Sequence, residues 1–181
     1  KTSTDYTTIN NNITVENILD NQKYFMMNGG YRDFDLTLGT TGQSGIFNNP
    51  APATVYLSYA YYKDMKIKGA SEVYPAILSG TSWNLANSGQ YLLENVHMKD
   101  NYTTSDVAGG CGFTLTGPCQ FADFTIKDGD TLNCSGQRAE FGILNNQTGG
   151  TIVSTDSLIV ADLIDSDGIW TGEDTTDLIT T

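Results

Sequence analysis

Apolar and polar residues alternate along much of this chain. Phe34, Leu36 and Leu38 interleave with Asp33, Asp35 and Thr37; Val55, Leu57 and Tyr59 do the same, and Phe113 and Leu115 sit between uncharged small residues. Thr151-Ile152-Val153 and Leu158-Ile159-Val160 are short β-branched runs. A period of two sends successive side chains to opposite faces of a strand, so these segments are expected to be half-buried strands. Turn formers punctuate them: Thr41-Gly42, Asn48-Asn49-Pro50, Ser88-Gly89, Gly109-Gly110, Gly117-Pro118, Asp128-Gly129, Asn145-Asn146 and Gly149-Gly150. Turns at intervals of about eight to twelve residues belong to an all-β chain, a solenoid or a sandwich. The best helical candidate is 14–27, with Thr14 as cap, Ile18, Leu19, Tyr24, Phe25 and Met26 roughly on one face, and Gly29-Gly30 as its stop.

An internal repeat favours the solenoid. Asp64-Met65-Lys66-Ile67-Lys68-Gly69, Asn95-Val96-His97-Met98-Lys99-Asp100 and Asp123-Phe124-Thr125-Ile126-Lys127-Asp128 share one pattern, at steps of 31 and 28 residues. Such a period signals stacked structural units. Fainter echoes occur at Phe141-Gly142-Ile143-Leu144-Asn145 and Ala161-Asp162-Leu163-Ile164-Asp165.

The run from Val96 to Asn101, followed by Gly109-Gly110-Cys111-Gly112-Phe113, resembles the right-handed parallel β-helix of pectin-lyase-like proteins. It is also similar to the degenerate repeats of autotransporter passengers and phage tail proteins. The resemblance covers about residues 63–165 and implies an all-β, right-handed parallel β-solenoid. Coils would stack about 4.8 Å apart, so on the order of six make a rod roughly 30 Å long. An antiparallel β-sandwich or jelly roll is the alternative. In the solenoid, Asp64, Asn95 and Asp123 are expected to stack at one corner.

Composition narrows the setting. Residues 1–181 read as a single domain with 1–14 as an extended arm and 166–181 as an acidic terminal segment. Nine Lys+Arg against 21 Asp+Glu give a formal net charge of −12, which opposes nucleic-acid phosphates and anionic lipid. No apolar run is long enough to span a bilayer as a helix, and the sequence starts at Lys1 without Met or a secretory h-region, so a mature or excised chain is expected, without nucleic-acid binding or membrane insertion. Its expected partners are further copies of itself and glycans, at a cell surface, a virion surface or elsewhere outside the cell.

Candidate chemistry is sparse. The single histidine, His97, leaves one anchor for any nucleophile triad. The resemblance implies a basic residue for lyase catalysis, yet the arginines, Arg32 and Arg138, stand outside the repeated pattern. Asp33/Asp35 and Asp128/Asp130 are same-face carboxylate pairs of the kind glycosidases use, although a chain this acidic offers many. No catalytic residues are assigned, and the chain is expected to be non-enzymatic. No cofactor is expected beyond calcium, for which Asp165-Ser166-Asp167-Gly168 with Asp174 mimics part of an EF-hand loop whose first position would be the non-coordinating Leu163. Tyr59, Tyr61 and Trp83 are candidate sugar-stacking rings. Asn12, Asn101, Asn133 and Asn146 carry the Asn-x-Ser/Thr acceptor pattern. Of the three cysteines, Cys119 and Cys134 are the candidate disulfide pair, with three thiols as the other outcome. The functional expectation is a structural or adhesion module; a filament subunit that donates residues 1–14 as a strand, and a carbohydrate-binding or lyase-like β-helix protein, are the alternatives.

Overall fold

A computed structural model describes residues 7–9, 13–20, 24–27, 34–48, 54–57, 64–80, 83–84, 90–104, 112–172 and 175–181. The chain is an all-β parallel solenoid. Three sheets form its walls. Sheet 1 stacks Ile13–Val15, Phe34–Thr40, Asp64–Gly69, Gln90–Glu94, Gly112–Leu115, Thr131–Asn133, Thr151–Val153 and Ile169–Thr171. Sheet 2 stacks Ile18–Asp20, Ile46–Asn48, Ala76–Ser79, Val96–Met98, Cys119–Ile126, Arg138–Asn146, Leu158–Ser166 and Asp177–Thr180. Sheet 3 holds Thr7–Ile9, Tyr24–Met27, Thr54–Leu57 and Trp83–Asn84. Strands adjacent within these ladders pair in parallel, which removes the antiparallel sandwich alternative. An antiparallel pair occurs where Gly39-Thr40 folds back on Gln43-Ser44 through the two-residue turn Thr41-Gly42.

The candidate helix at 14–27 is instead part of one coil. Ile13–Val15 lies on sheet 1, Ile18–Asp20 on sheet 2 and Tyr24–Met27 on sheet 3. Apolar residues that would share one helical face divide between two walls, Ile18 and Leu19 on sheet 2 and Tyr24, Phe25 and Met26 on sheet 3, and β-branched Ile13, Thr14, Val15 and Ile18 suit the extended backbone. The described parts of the amino-terminal arm are likewise absorbed: Thr7–Ile9 pairs with Phe25–Met27, and Ile13–Val15 with Leu36–Leu38. The acidic terminal segment also contributes rungs, Ile169–Thr171 and Asp177–Thr180.

Coil length falls along the chain. In sheet 2, Ile46 pairs with Ile77, a step of 31 residues, whereas Cys119 pairs with Ala139 and Ala139 with Ile159, steps of 20. The shorter coils make their third wall by bending sheet 2. In Arg138–Asn146 the inward residues are Ala139 and Phe141, then Leu144 and Asn146, so Gly142 and Ile143 both point outward and break the alternation. Gly142 is required at that corner, because a Cβ there would lie 2.7 Å from the Ala122 carbonyl oxygen. The Asp123 carboxylate accepts a hydrogen bond from the Ile143 N–H at 3.1 Å across the same bend.

The core is a set of columns running down the walls. Ala76, Val96, Cys119, Ala139 and Ile159 form one; Phe47, Leu78, Met98, Phe121, Phe141 and Ala161 form the next, and all are buried. On sheet 1, the buried column Leu36, Ile67, Leu93 and Leu115 continues into Cys134 and Ser154, so side chains shrink as the coils shorten. Near the carboxyl-terminal end, Trp170 Nε1 donates to Ser154 Oγ at 2.6 Å, and Ser157 Oγ donates to the Ser154 carbonyl at 2.7 Å, which satisfies these buried hydroxyls.

The segments of the repeated pattern are not equivalent. Asp64–Gly69 lies on sheet 1, Val96–Met98 on the first half of sheet 2, and Phe124–Ile126 past its bend. Asp64 therefore pairs with Gln90, Asn95 occupies a corner, and Asp123 pairs with Ile143; they do not stack. The fainter echoes are the true repeat: Phe121, Phe141 and Ala161 are in register, as are Phe124, Leu144 and Ile164.

Candidate functional site: a polar groove on sheet 2

Sheet 2 presents one outward residue per rung just after its first inward position. That row runs Ile77, His97, Gln120, Glu140 and Val160. The residues just before the inward position, Pro75, Asn95, Pro118 and Arg138, form a second row along the corner. Between the rows lies a shallow, solvent-open groove of about 30 Å³. The turn at 71–75 makes its side wall, closed by the Tyr74 N–H donating to the Ser71 carbonyl at 3.1 Å. Glu72 on this turn reaches Arg138, whose Nη1 donates to its carboxylate at 3.1 Å. Ala76 and Ala139 are three rungs apart, so this ion pair spans roughly 14 Å of ladder.

The polar groups are linked. Arg138 also pairs with Glu140, and Gln120 Nε2 donates to Glu140 Oε2 at 3.0 Å. His97 stands one rung above Gln120. Its pKa is lowered, first by burial, then by the nearby Lys99 charge, with Glu140 opposing. The imidazole is therefore neutral at neutral pH, with one ring nitrogen donating and the other accepting. Pro75 and Pro118 add apolar surface. The groove thus alternates donors and acceptors at rung spacing beside two proline rings. His97 is half-buried here. Gln120, Glu140 and Glu72 went unnoticed in the sequence; the signal was the 20-residue step that places Gln120 over Glu140.

The other candidate residues are dispersed. Asp165 and Asp167 are exposed at the end of Leu158–Ser166, while Asp174 lies outside the described residues. Among the described residues no group of three or more His, Cys, Asp or Glu side chains is gathered to hold a metal ion. Trp83 heads the strand pair with Val55-Tyr56; Tyr59 and Tyr61 lie outside the described residues. Asp128 is exposed and Asp130 buried, so that carboxylate pair does not share a face; Asp33 is outside the described residues.

Asn12 also lies outside them, and Asn101 is exposed. Asn133 Oδ1 accepts from the Ser135 N–H at 3.0 Å. Asn146 is 1% exposed, and its amide donates to the Ile169 carbonyl at 3.1 Å. A glycan on that nitrogen would require the corner to open.

Cys119 and Cys134 are free, buried thiols rather than a disulfide. They belong to different walls, and the residue paired with Cys119 in the next rung is Ala139. Cys119 Sγ donates to the Gly117 carbonyl at 3.5 Å, and burial pushes its pKa up to about 12.

Comparison with protein-family models, with curated proteins and with solved structures found no match.

Proposed function

We propose that the chain is a non-enzymatic structural and adhesion module displayed outside the cell, on a cell surface or a virion. The observation that carries this reading is the ladder itself. Sheets 1 and 2 run in parallel register from Ile13 to Thr180, so each short strand is fixed by the rungs above and below. A stack of this kind is a scaffold that presents outward rows at a constant spacing, while the charge of −12 keeps copies apart in solution. Sheet 1 displays Thr114, Asn133, Val153 and Thr171 in one uncharged row, a surface suited to contact with neutral partners.

The filament alternative has less support, because the described parts of residues 1–14 already pair within the chain. Donation to a neighbour would first cost those ladders.

The test is binding of the purified chain to immobilised cell-surface glycans and extracellular-matrix proteins, read by surface plasmon resonance, with the recovered glycans analysed for cleavage. Saturable binding with glycans returned intact is expected. Cleavage of any of them, or no binding to any surface, overturns the reading.

A further inference from the structure

We infer that the sheet 2 groove is a binding site for a neutral saccharide ring, recognised by His97, Gln120, Arg138 and Glu140 with Pro75 and Pro118 as its apolar side. This rests on the adhesion reading and names its ligand class.

The chemistry of the lining selects the ligand. Each sugar hydroxyl both donates and accepts, and the groove supplies both functions in neighbouring positions. Glu140 accepts; Arg138 donates; Gln120 and neutral His97 do both. Glu140 and Arg138 hold each other in place, and Glu72 anchors Arg138 from the far wall, so the donors are oriented before a ligand arrives. The proline rings match the C–H face of a pyranose, the usual division of a small-molecule site into apolar surface and a few placed polar groups.

Charge excludes the alternatives. Glu72 and Glu140 outnumber Arg138, leaving the groove net negative in an acidic chain, so uronates, sialates and phosphates are repelled. A metal cation would have to compete with the guanidinium that already bridges both carboxylates. An uncharged, hydroxyl-rich ring avoids both penalties.

The experiment is NMR titration of the isotopically labelled full chain with methyl β-galactopyranoside, methyl α-mannopyranoside and methyl N-acetyl-β-glucosaminide, with galacturonate as the anionic comparison. Saturable shifts of the His97 ring and the Gln120 side-chain amide are expected with at least one neutral probe. Affinity should fall about tenfold or more in Glu140→Gln, the loss expected for one charge-assisted hydrogen bond. Gln120→Ala, at an exposed position, is the second variant, and unchanged amide spectra of the Phe121 and Phe141 rungs establish that each variant is folded. No saturable shift with any neutral probe, affinity in both variants unchanged from that of the unaltered chain, or tighter binding of galacturonate overturns the inference. If the chain adheres to glycan surfaces while both variants adhere equally, the groove assignment fails and the adhesion reading stands. If the unaltered chain adheres to nothing, the adhesion reading fails first.

Discussion

Phe141 stacks one rung below Phe121, the rings 5.0 Å apart between centroids and inclined by only 9°. Both sit in one column of sheet 2, with Met98 above and Ala161 below. Phe124 meets Phe121 edge-on at 5.0 Å, from the wall past the bend. Removing Phe141 therefore opens a cavity beside small Ala161 and also loses the ring pair. Phe141→Ala is expected to cost about 3–5 kcal/mol, whereas Phe141→Leu, which refills most of the volume, should cost well under half of that. Urea unfolding followed by circular dichroism measures both; equal losses would show that ring stacking rather than volume is what the site requires.

Asn95 turns the corner between Gln90–Glu94 and Val96–Met98 with φ of 54°, in the left-handed region. Its carbonyl accepts from the Ala76 N–H at 2.8 Å, which ties the corner to the preceding rung. Asn tolerates this backbone, and a β-branched residue does not. Asn95→Gly should change stability little, while Asn95→Val should be lower than Asn95→Gly by about 1–3 kcal/mol. Equal denaturation midpoints for the two variants would mean that the corner relaxes.

Asn146 plugs a later corner. Its side-chain amide donates to the Ile169 carbonyl and, at 3.3 Å, to Ser166 Oγ, while its backbone carbonyl accepts from the Asp167 and Gly168 N–H groups at 2.8 and 3.0 Å. The side chain occupies space above Gly168, where a Cβ would come within 2.6 Å of its Nδ2. In Asn146→Asp the donor becomes an acceptor facing a carbonyl oxygen, so the folded state favours the protonated acid and its pKa rises above the unfolded value near 3.9. That variant should approach wild-type stability below about pH 4 and fall behind as pH rises toward neutrality. Denaturation of both proteins at acid and neutral pH tests it; a gap independent of pH would exclude the charge as its cause.

The class of fold was legible because alternation and turns report strands directly, but the coil was not. The pattern shared by Asp64–Gly69, Asn95–Asp100 and Asp123–Asp128 is what an outward-inward strand ending in Lys looks like on any wall, so it matched segments from three places. The real repeat, Phe121, Phe141 and Ala161, keeps a constant step but varies the side chain, since a column tolerates any residue that fills its local cross-section. Residues 14–27 looked helical because a three-walled coil with short strands mixes apolar spacings of two, three and more. The groove was invisible for a related reason: Glu72 and Arg138 lie 66 residues apart and meet only once the coils are stacked.

Cys119 and Cys134 give the fold a pH signature. Burial raises both thiol pKa values, Cys119 to about 12, with Cys119 a further, smaller cause at Cys134. An unfolded thiol ionises near 8.5, so the folded chain keeps protons that the unfolded chain has already released. The stabilising contribution is complete below about pH 8.5 and is lost as pH rises toward 12, at about 1.4 kcal/mol per pH unit for each thiol. Cys119→Ala should make the decline between pH 9 and 10.5 shallower by about that slope. In a Cys111→Ser background, iodoacetamide at pH 8 should leave the folded chain unmodified and alkylate Cys119 and Cys134 once guanidinium unfolds it, because only the exposed thiolate is nucleophilic. Rapid alkylation of the folded chain, read by intact mass, would mean that the Leu115–Cys134–Ser154 column opens to solvent, and the shrinking side chains of the shorter coils would then mark a breathing end of the solenoid rather than a packed one.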